Sequence, residues 1–289
     1  MNIKKLVIQF LLGASIVSFI PVLSFAEEGD SGINSGSHGL HLRGATGTGN
    51  IFWGYVNNAN DSGDLGTGKG STLNLAAMYN FTYIGFEFNY LYGDINDLEW
   101  TEEENGDKTK YKSTGSGYYN VLDYKLGSKL FTTAGDMGYT FIYMGKRYWN
   151  TKRAQDTVEI DGNKTNSDNT IKAKGDGWIY GIRDFSTIGA DNSMAFVLQS
   201  GFFYGKAPVT KLSMNGDSQS LTEDGSFCFG GELGAGVASQ DKGFSIIGGF
   251  RGEMTMTTFK NSVDAAVEND DSVFGFGNFM YFVEFGMMF

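Results

Sequence analysis

The strongest constraint on this chain is a two-residue alternation of apolar and polar side chains that recurs from about residue 40 to the C-terminus. In 273–289, Phe279, Tyr281, Val283, Phe285, Met287 and Phe289 share one side, and Asn278, Glu284 and Gly286 the other. Ile84, Phe86, Phe88, Tyr90 and Tyr92 likewise oppose Tyr83, Glu87 and Asn89. Phe244, Ile246, Phe250, Met254 and Met256 oppose Ser245, Arg251, Glu253 and Thr255. A period of two is that of a strand. Ten strands are predicted: 40–56, 71–79, 82–93, 118–131, 138–149, 176–188, 194–205, 226–238, 243–258 and 273–289. The pattern blurs at 138–149, where Ile142 and Met144 share a face with Lys146, and it changes phase between Leu42 and Ile51. Gly44, Gly47 and Gly49 would accommodate a bulge there.

Composition agrees with an all-β chain. The 289 residues include 42 glycines, 2 prolines and 15% aromatics. Glycine costs a helix interior up to about 1 kcal/mol relative to alanine, whereas aromatics fit a pleated surface. A helical bundle is thereby excluded and a doubly wound α/β fold disfavoured. With 41% hydrophobic residues, disorder is also disfavoured.

Short connections (Asn80-Phe81, Thr132 to Met137, Gly189 to Ser193, Ser239 to Lys242) alternate with long polar ones at 57–70, 94–117, 150–175, 206–225 and 259–272. That segregation is the layout of a transmembrane antiparallel up-and-down β-barrel with short periplasmic turns and long extracellular loops. Ten strands are expected, or twelve if an extended loop hairpin also crosses the membrane. Lys4 and Lys5 precede an apolar run from Leu6 to Ile20, and Ser24-Phe25-Ala26 offers a cleavage site. The run is shorter than the roughly 20 residues of a spanning helix. The expected organisation is a cleaved signal peptide at 1–26, a periplasmic segment at 27–39 and the barrel at 40–289. Loss of Lys4 and Lys5 moves the formal charge from −11 to −13, which makes nucleic acid a poor partner. Cys228, the single cysteine, can form no intrachain disulfide.

Trp53, Tyr55, Tyr90, Tyr92, Tyr118, Trp149, Trp178, Tyr180 and Tyr204 fall near the outer strand ends, where they are expected to form an aromatic girdle at the membrane interface. The alternating residues that end on Phe289, with Tyr281 and Phe285 before it, resemble the terminal signature of bacterial outer-membrane barrels. That resemblance implies recognition by the barrel-assembly machinery and an outer-membrane location.

Projected inward, the alternation gives Arg43, Glu87, Asp123, Lys125, Arg183, Glu232, Arg251, Glu253 and Glu284. Five acids with four bases suggest ion pairs that fill a narrow lumen, since a ring of one sign would be expected of an ion-selective pore. Three long loops carry turn dipeptides: Asn105-Gly106, Asp161-Gly162 and Asn215-Gly216. They are read as hairpins prolonging the barrel, with Thr157 to Ile160 facing Thr170 to Ala173.

Motifs for chemistry are scarce. Gly63 to Gly70 approaches a phosphate-binding loop, but Gly70 stands where Ser or Thr should hold magnesium and a strand follows. Asp161, Asn163 and Thr165 begin like a calcium loop, whose twelfth position is Lys172 rather than an acid. One cysteine and two histidines do not make a zinc site, and no cofactor or metal is expected. A ten-stranded barrel with tall loops resembles the omptin surface proteases in architecture. That family depends on a histidine near the extracellular rim, whereas His38 and His41 lie at the periplasmic side, so its catalytic pattern maps onto no position here. Asp94 and Asp97 remain as a carboxylate pair on a solvated loop. The expected function is a non-enzymatic barrel with a largely closed mixed-charge lumen and acidic surface loops serving surface structure or partner binding. Its expected partners are outer-membrane lipid, lipopolysaccharide and an extracellular ligand. A narrow porin-like diffusion channel is the alternative, and a surface hydrolase the third.

Overall fold

The computed structural model describes residues 39–288 apart from 58–61, 64–65, 82–83, 105–106, 134–137, 192–193, 207–208, 215–216, 221–226, 242–243 and 261–270. The expected signal peptide, residues 27–38 and Phe289 lie outside the described residues. The strands are β1 (Gly39–Asn57), β2 (Ser62–Gly63), β3 (Gly66–Phe81), β4 (Ile84–Ile95), β5 (Leu98–Glu104), β6 (Asp107–Thr133), β7 (Gly138–Ile160) and β8 (Asn163–Asn166). They continue with β9 (Thr170–Asp191), β10 (Met194–Lys206), β11 (Val209–Met214), β12 (Asp217–Ser220), β13 (Cys228–Asp241), β14 (Phe244–Lys260) and β15 (Asp271–Met288).

Ten of these form a closed antiparallel ring in the order β1, β3, β4, β6, β7, β9, β10, β13, β14 and β15. The first and last strands pair from His41 opposite Met288 to Asn57 opposite Ser272. Closure satisfies the backbone of every ring strand on both sides, which is the requirement for a sheet surrounded by hydrocarbon.

The remaining strands crown the end with long connections. Asp161 (φ 47°) and Gly162 (φ 87°) adopt the left-handed backbone of a type I′ turn. Because that turn closes at once, Thr157 to Ile160 pair with Asn163 to Asn166. The expected pairing with Thr170 to Ala173 does not form, and those residues run instead along Ala154 to Thr151. Strands β5 and β6 flank Asn105-Gly106, and β11 and β12 flank Asn215-Gly216.

The outward face is apolar as expected. Ile84, Phe86, Ile142, Met144, Phe244, Ile246, Phe250, Phe279, Tyr281, Val283, Phe285 and Met287 are all exposed. Met254 and Met256 keep the parity of Phe250 but are buried. Their partners across β15 are Gly277 and Gly275, and a Cβ at Gly277 would fall 2.2 Å from the Phe52 ring, which covers the sheet there. The expected bulge in β1 is absent, because its register is unbroken against both neighbours. Gly49 answers a different need there: a Cβ would fall 2.3 Å from the Phe279 carbonyl oxygen. The change of phase is a change in the interior, which turns apolar at Ile51 and Trp53.

Candidate functional site: the barrel interior

Among the described residues, strand alternation aims eleven charged side chains inward; Arg153, over the Trp53 ring and donating to Ser113, stands nearer the hairpins, and the other ten form one set. Nine are the residues projected from sequence, and the tenth is Arg147 on β7. Arg147 grips Asp123 with two hydrogen bonds, Nε to Oδ1 and Nη2 to Oδ2, both 2.7 Å. Its Nη1 donates to the Thr255 hydroxyl at 3.0 Å, and the guanidinium lies 3.9 Å from the centre of the Phe203 ring. Lys125 Nζ sits 3.2 Å from both Asp123 and Glu87. It also lies 4.9 Å from the centre of the Tyr143 ring. Phase blur at 138–149 hid Arg147, yet Lys146 sharing a face with Ile142 and Met144 is the signal that puts Arg147 on the other one.

From Glu87 a circuit crosses the barrel and returns. Arg183 Nη1 donates to Glu87 at 2.6 Å, and its Nε donates to Glu232. Gln199 donates to Glu232 at 3.3 Å and accepts from Arg251 Nη2 at 3.0 Å. Arg251 also pairs with Glu284 at 2.7 Å, and Arg43 lies 3.9 Å from Glu284 and 3.6 Å from Glu87. These groups come from seven of the ten ring strands. With Arg147 counted, five acids meet five bases, so the formal charge of the set is zero. Unpaired, each of these ions would cost several kcal/mol in so dry a place.

Glu253 stands opposite Glu232 across β13 and β14. Both line a cavity of about 20 Å³ together with Lys125, Arg147, Arg183 and Tyr143. A space of that size holds about one water molecule.

Toward the crowned end the interior becomes dry. Trp53 and Trp149, expected in the outer girdle, are 1% and 2% exposed and point inward. Trp149 stacks on Phe274 at 5.8 Å, and Trp53 meets the same ring edge-on at 5.6 Å. Trp53 Nε1 donates to the Thr151 hydroxyl at 2.7 Å, and Asn278 Nδ2 donates to the Tyr119 hydroxyl at 2.8 Å. These two bonds satisfy the polar atoms of the buried Trp53 and Tyr119 rings. Ile51, Ile95, Leu98 and Phe276 belong to the same cluster.

The rest of the expected girdle does face outward. Trp178, Tyr180 and Tyr204 are exposed, and Tyr90, Tyr92 and Tyr118 lie on outward positions, with Tyr92 stacked on Tyr118 at 6.2 Å. The side chain of Tyr55 is outside the described residues. Tyr281 and Phe285 are exposed near the last strand's end. His41 opens β1 at the end away from the hairpins. Asp94 accepts from the Ser71 hydroxyl, and Asp97 accepts from the Gly115 amide at 3.2 Å. Among the described residues there is no group of three or more His, Cys, Asp or Glu suited to a metal ion.

Ring closure, an apolar exterior and an interior of paired charges and packed rings define the class: a ten-stranded up-and-down barrel that resembles outer-membrane barrels. No protein-family model matches the chain, and no curated protein sequence matches it. Among solved structures it is similar to the outer membrane protease OmpT from Escherichia coli, at 9% identity and TM-score 0.51, over 87% of this chain and 97% of that one. Weaker similarities include an outer membrane channel from Pseudomonas putida F1 (9% identity, TM-score 0.32, 91% and 100% covered). Another is the translocator domain of the autotransporter NalP from Neisseria meningitidis (10%, 0.30, 85% and 89%). At such identities the likeness to OmpT speaks for the fold alone.

Proposed function

We propose that this chain is a non-enzymatic bacterial outer-membrane barrel whose interior is closed to solutes and whose crowned end serves surface structure or partner binding. One observation carries the reading: the circuit from Glu87 through Arg183, Glu232, Gln199, Arg251, Glu284 and Arg43 back to Glu87 spans the interior. The aromatic cluster around Trp53, Trp149 and Phe274 adds a second, dry layer toward the hairpins. Moving a hydrated solute through would require desolvated ion pairs to part, at several kcal/mol each. The exposed apolar belt supports residence in a bilayer, and Tyr281 and Phe285 support handling by the barrel-assembly machinery.

Although the similar barrel from Escherichia coli is a protease, acid–base chemistry of that kind needs a group poised at the rim. Here His41 lies at the opposite end, and Asp94 and Asp97 are each engaged in a structural hydrogen bond. Liposome swelling with sugars of increasing size tests closure: the reconstituted protein is expected to leave swelling at the protein-free rate. Size-dependent swelling would replace this reading with a narrow diffusion channel. Peptide or lipid hydrolysis lost on replacing Asp94 and Asp97 would replace it with a surface hydrolase.

A further inference from the structure

The outer wall formed by β7, β9, β10 and β11 carries a set of lysines in a chain whose formal charge is −11. Lys152 stands directly opposite Lys172, and Lys174 directly opposite Lys211. Lys206 is opposite Trp178. Alternation puts Lys172 and Lys174 on the same face as the exposed Trp178 and Tyr180. Like charges facing each other across adjacent strands are destabilising, and this wall holds two such pairs side by side. Lower on the same wall, Lys146 pairs with Asp176 at 3.2 Å and lies over the rings of Tyr148 and Trp178. The other five lysines have no ion-pair partner among the described residues.

Position then narrows the ligand. Exposed Trp and Tyr mark the boundary between hydrocarbon and head groups. Lys174 is four residues beyond Trp178 toward the hairpins, roughly 13 Å along the strand. The lysines therefore stand in the head-group layer, directly above an apolar surface. A ligand that satisfies both needs phosphate groups at that height and acyl chains beneath them. Two opposed lysine pairs call for more than one phosphate, since each pair can share one anion.

We propose that this wall binds a phosphorylated glycolipid of the outer leaflet, its phosphates held among Lys152, Lys172, Lys174 and Lys211 and its acyl chains laid along Trp178, Tyr180 and Tyr204. The inference rests on the outer-membrane reading above and deepens it by assigning the lipid a place.

Native mass spectrometry of the folded protein in detergent tests it, with bisphosphorylated lipid A, its monophosphorylated form, phosphatidylcholine and inorganic phosphate as probes. Wild type is expected to retain the probes in that order of phosphate content, with phosphatidylcholine weakest among the lipids. The quadruple variant K152Q/K172Q/K174Q/K211Q is expected to bind bisphosphorylated lipid A at least about tenfold more weakly. K69Q/K112Q, on other strands, should bind as wild type does. Equal binding by the quadruple variant, or equal retention of phosphatidylcholine, would overturn the site. Displacement of lipid A by equimolar inorganic phosphate would reassign it to a free anion. Heat-modifiable gel mobility and liposome insertion are scored first for every protein; a wild type that fails both defeats the outer-membrane reading itself, separately from a failure of the lysines.

Discussion

Arg147 and Asp123 face each other across β7 and β6 with two 2.7 Å hydrogen bonds, and both side chains are excluded from solvent. Removing one member of such a pair strands its partner, at a typical cost of about 3–5 kcal/mol. Asp123→Asn and Arg147→Met should each lower stability by that order in urea titrations of protein folded into lipid vesicles. The double variant should recover most of the loss. Equal, additive losses would mean that the two groups do not act as a pair.

Of the four tryptophans, Trp53 and Trp149 turn into the barrel and Trp178 faces out from its wall. Trp178 is 52% exposed on the outer wall, whereas Trp149 is 2% exposed inside. In vesicles of brominated lipid, a variant keeping only Trp178 should be strongly quenched. One keeping only Trp149 should not be. Similar quenching of both would move Trp149 back to the girdle.

Trp149 is also a stability anchor, since truncation of a large buried aromatic costs about 3–5 kcal/mol. Trp149→Ala should fall in that range by urea unfolding, and Tyr148→Ala, on the exposed neighbouring position, by clearly less. A reversed order would contradict the dry inner layer.

At Gly162, a φ of 87° in the type I′ turn makes a Cβ unfavourable. Gly162→Val should cost about 1–2 kcal/mol, felt locally in the β7–β8 hairpin. Protease cleavage between 157 and 166 should speed up while heat-modifiable mobility is retained. Loss of that mobility would show that the hairpin supports the ring itself.

The ring was legible in sequence because lipid on one side and packing on the other enforce a period of two over every strand. Tyr281 through Met287 and Ile84 through Asn89 read correctly for that reason. The interior was legible only where it is charged. Ile51, Trp53 and Trp149 break the rule that the lumen of such a barrel is polar, so an inward tryptophan looks like an outward one displaced by a bulge. Which acid meets which base was not legible either. Glu87 and Arg183 are 96 residues apart and meet only because the ring closes. Lys152 and Lys172 became neighbours through a register that depends on the reversal at Asp161 and Gly162, and the spacing of the dipeptide does not specify that register.

Single-channel recording in a planar bilayer tests the central claim, the closed interior, most directly. Wild-type protein shown to be inserted should give no unitary current steps at any moderate voltage, and Arg183→Ala combined with Arg251→Ala, which cuts the circuit twice, should be the variant that begins to conduct. Stable, uniform conductance steps from the wild type, unchanged in the double variant, would contradict it.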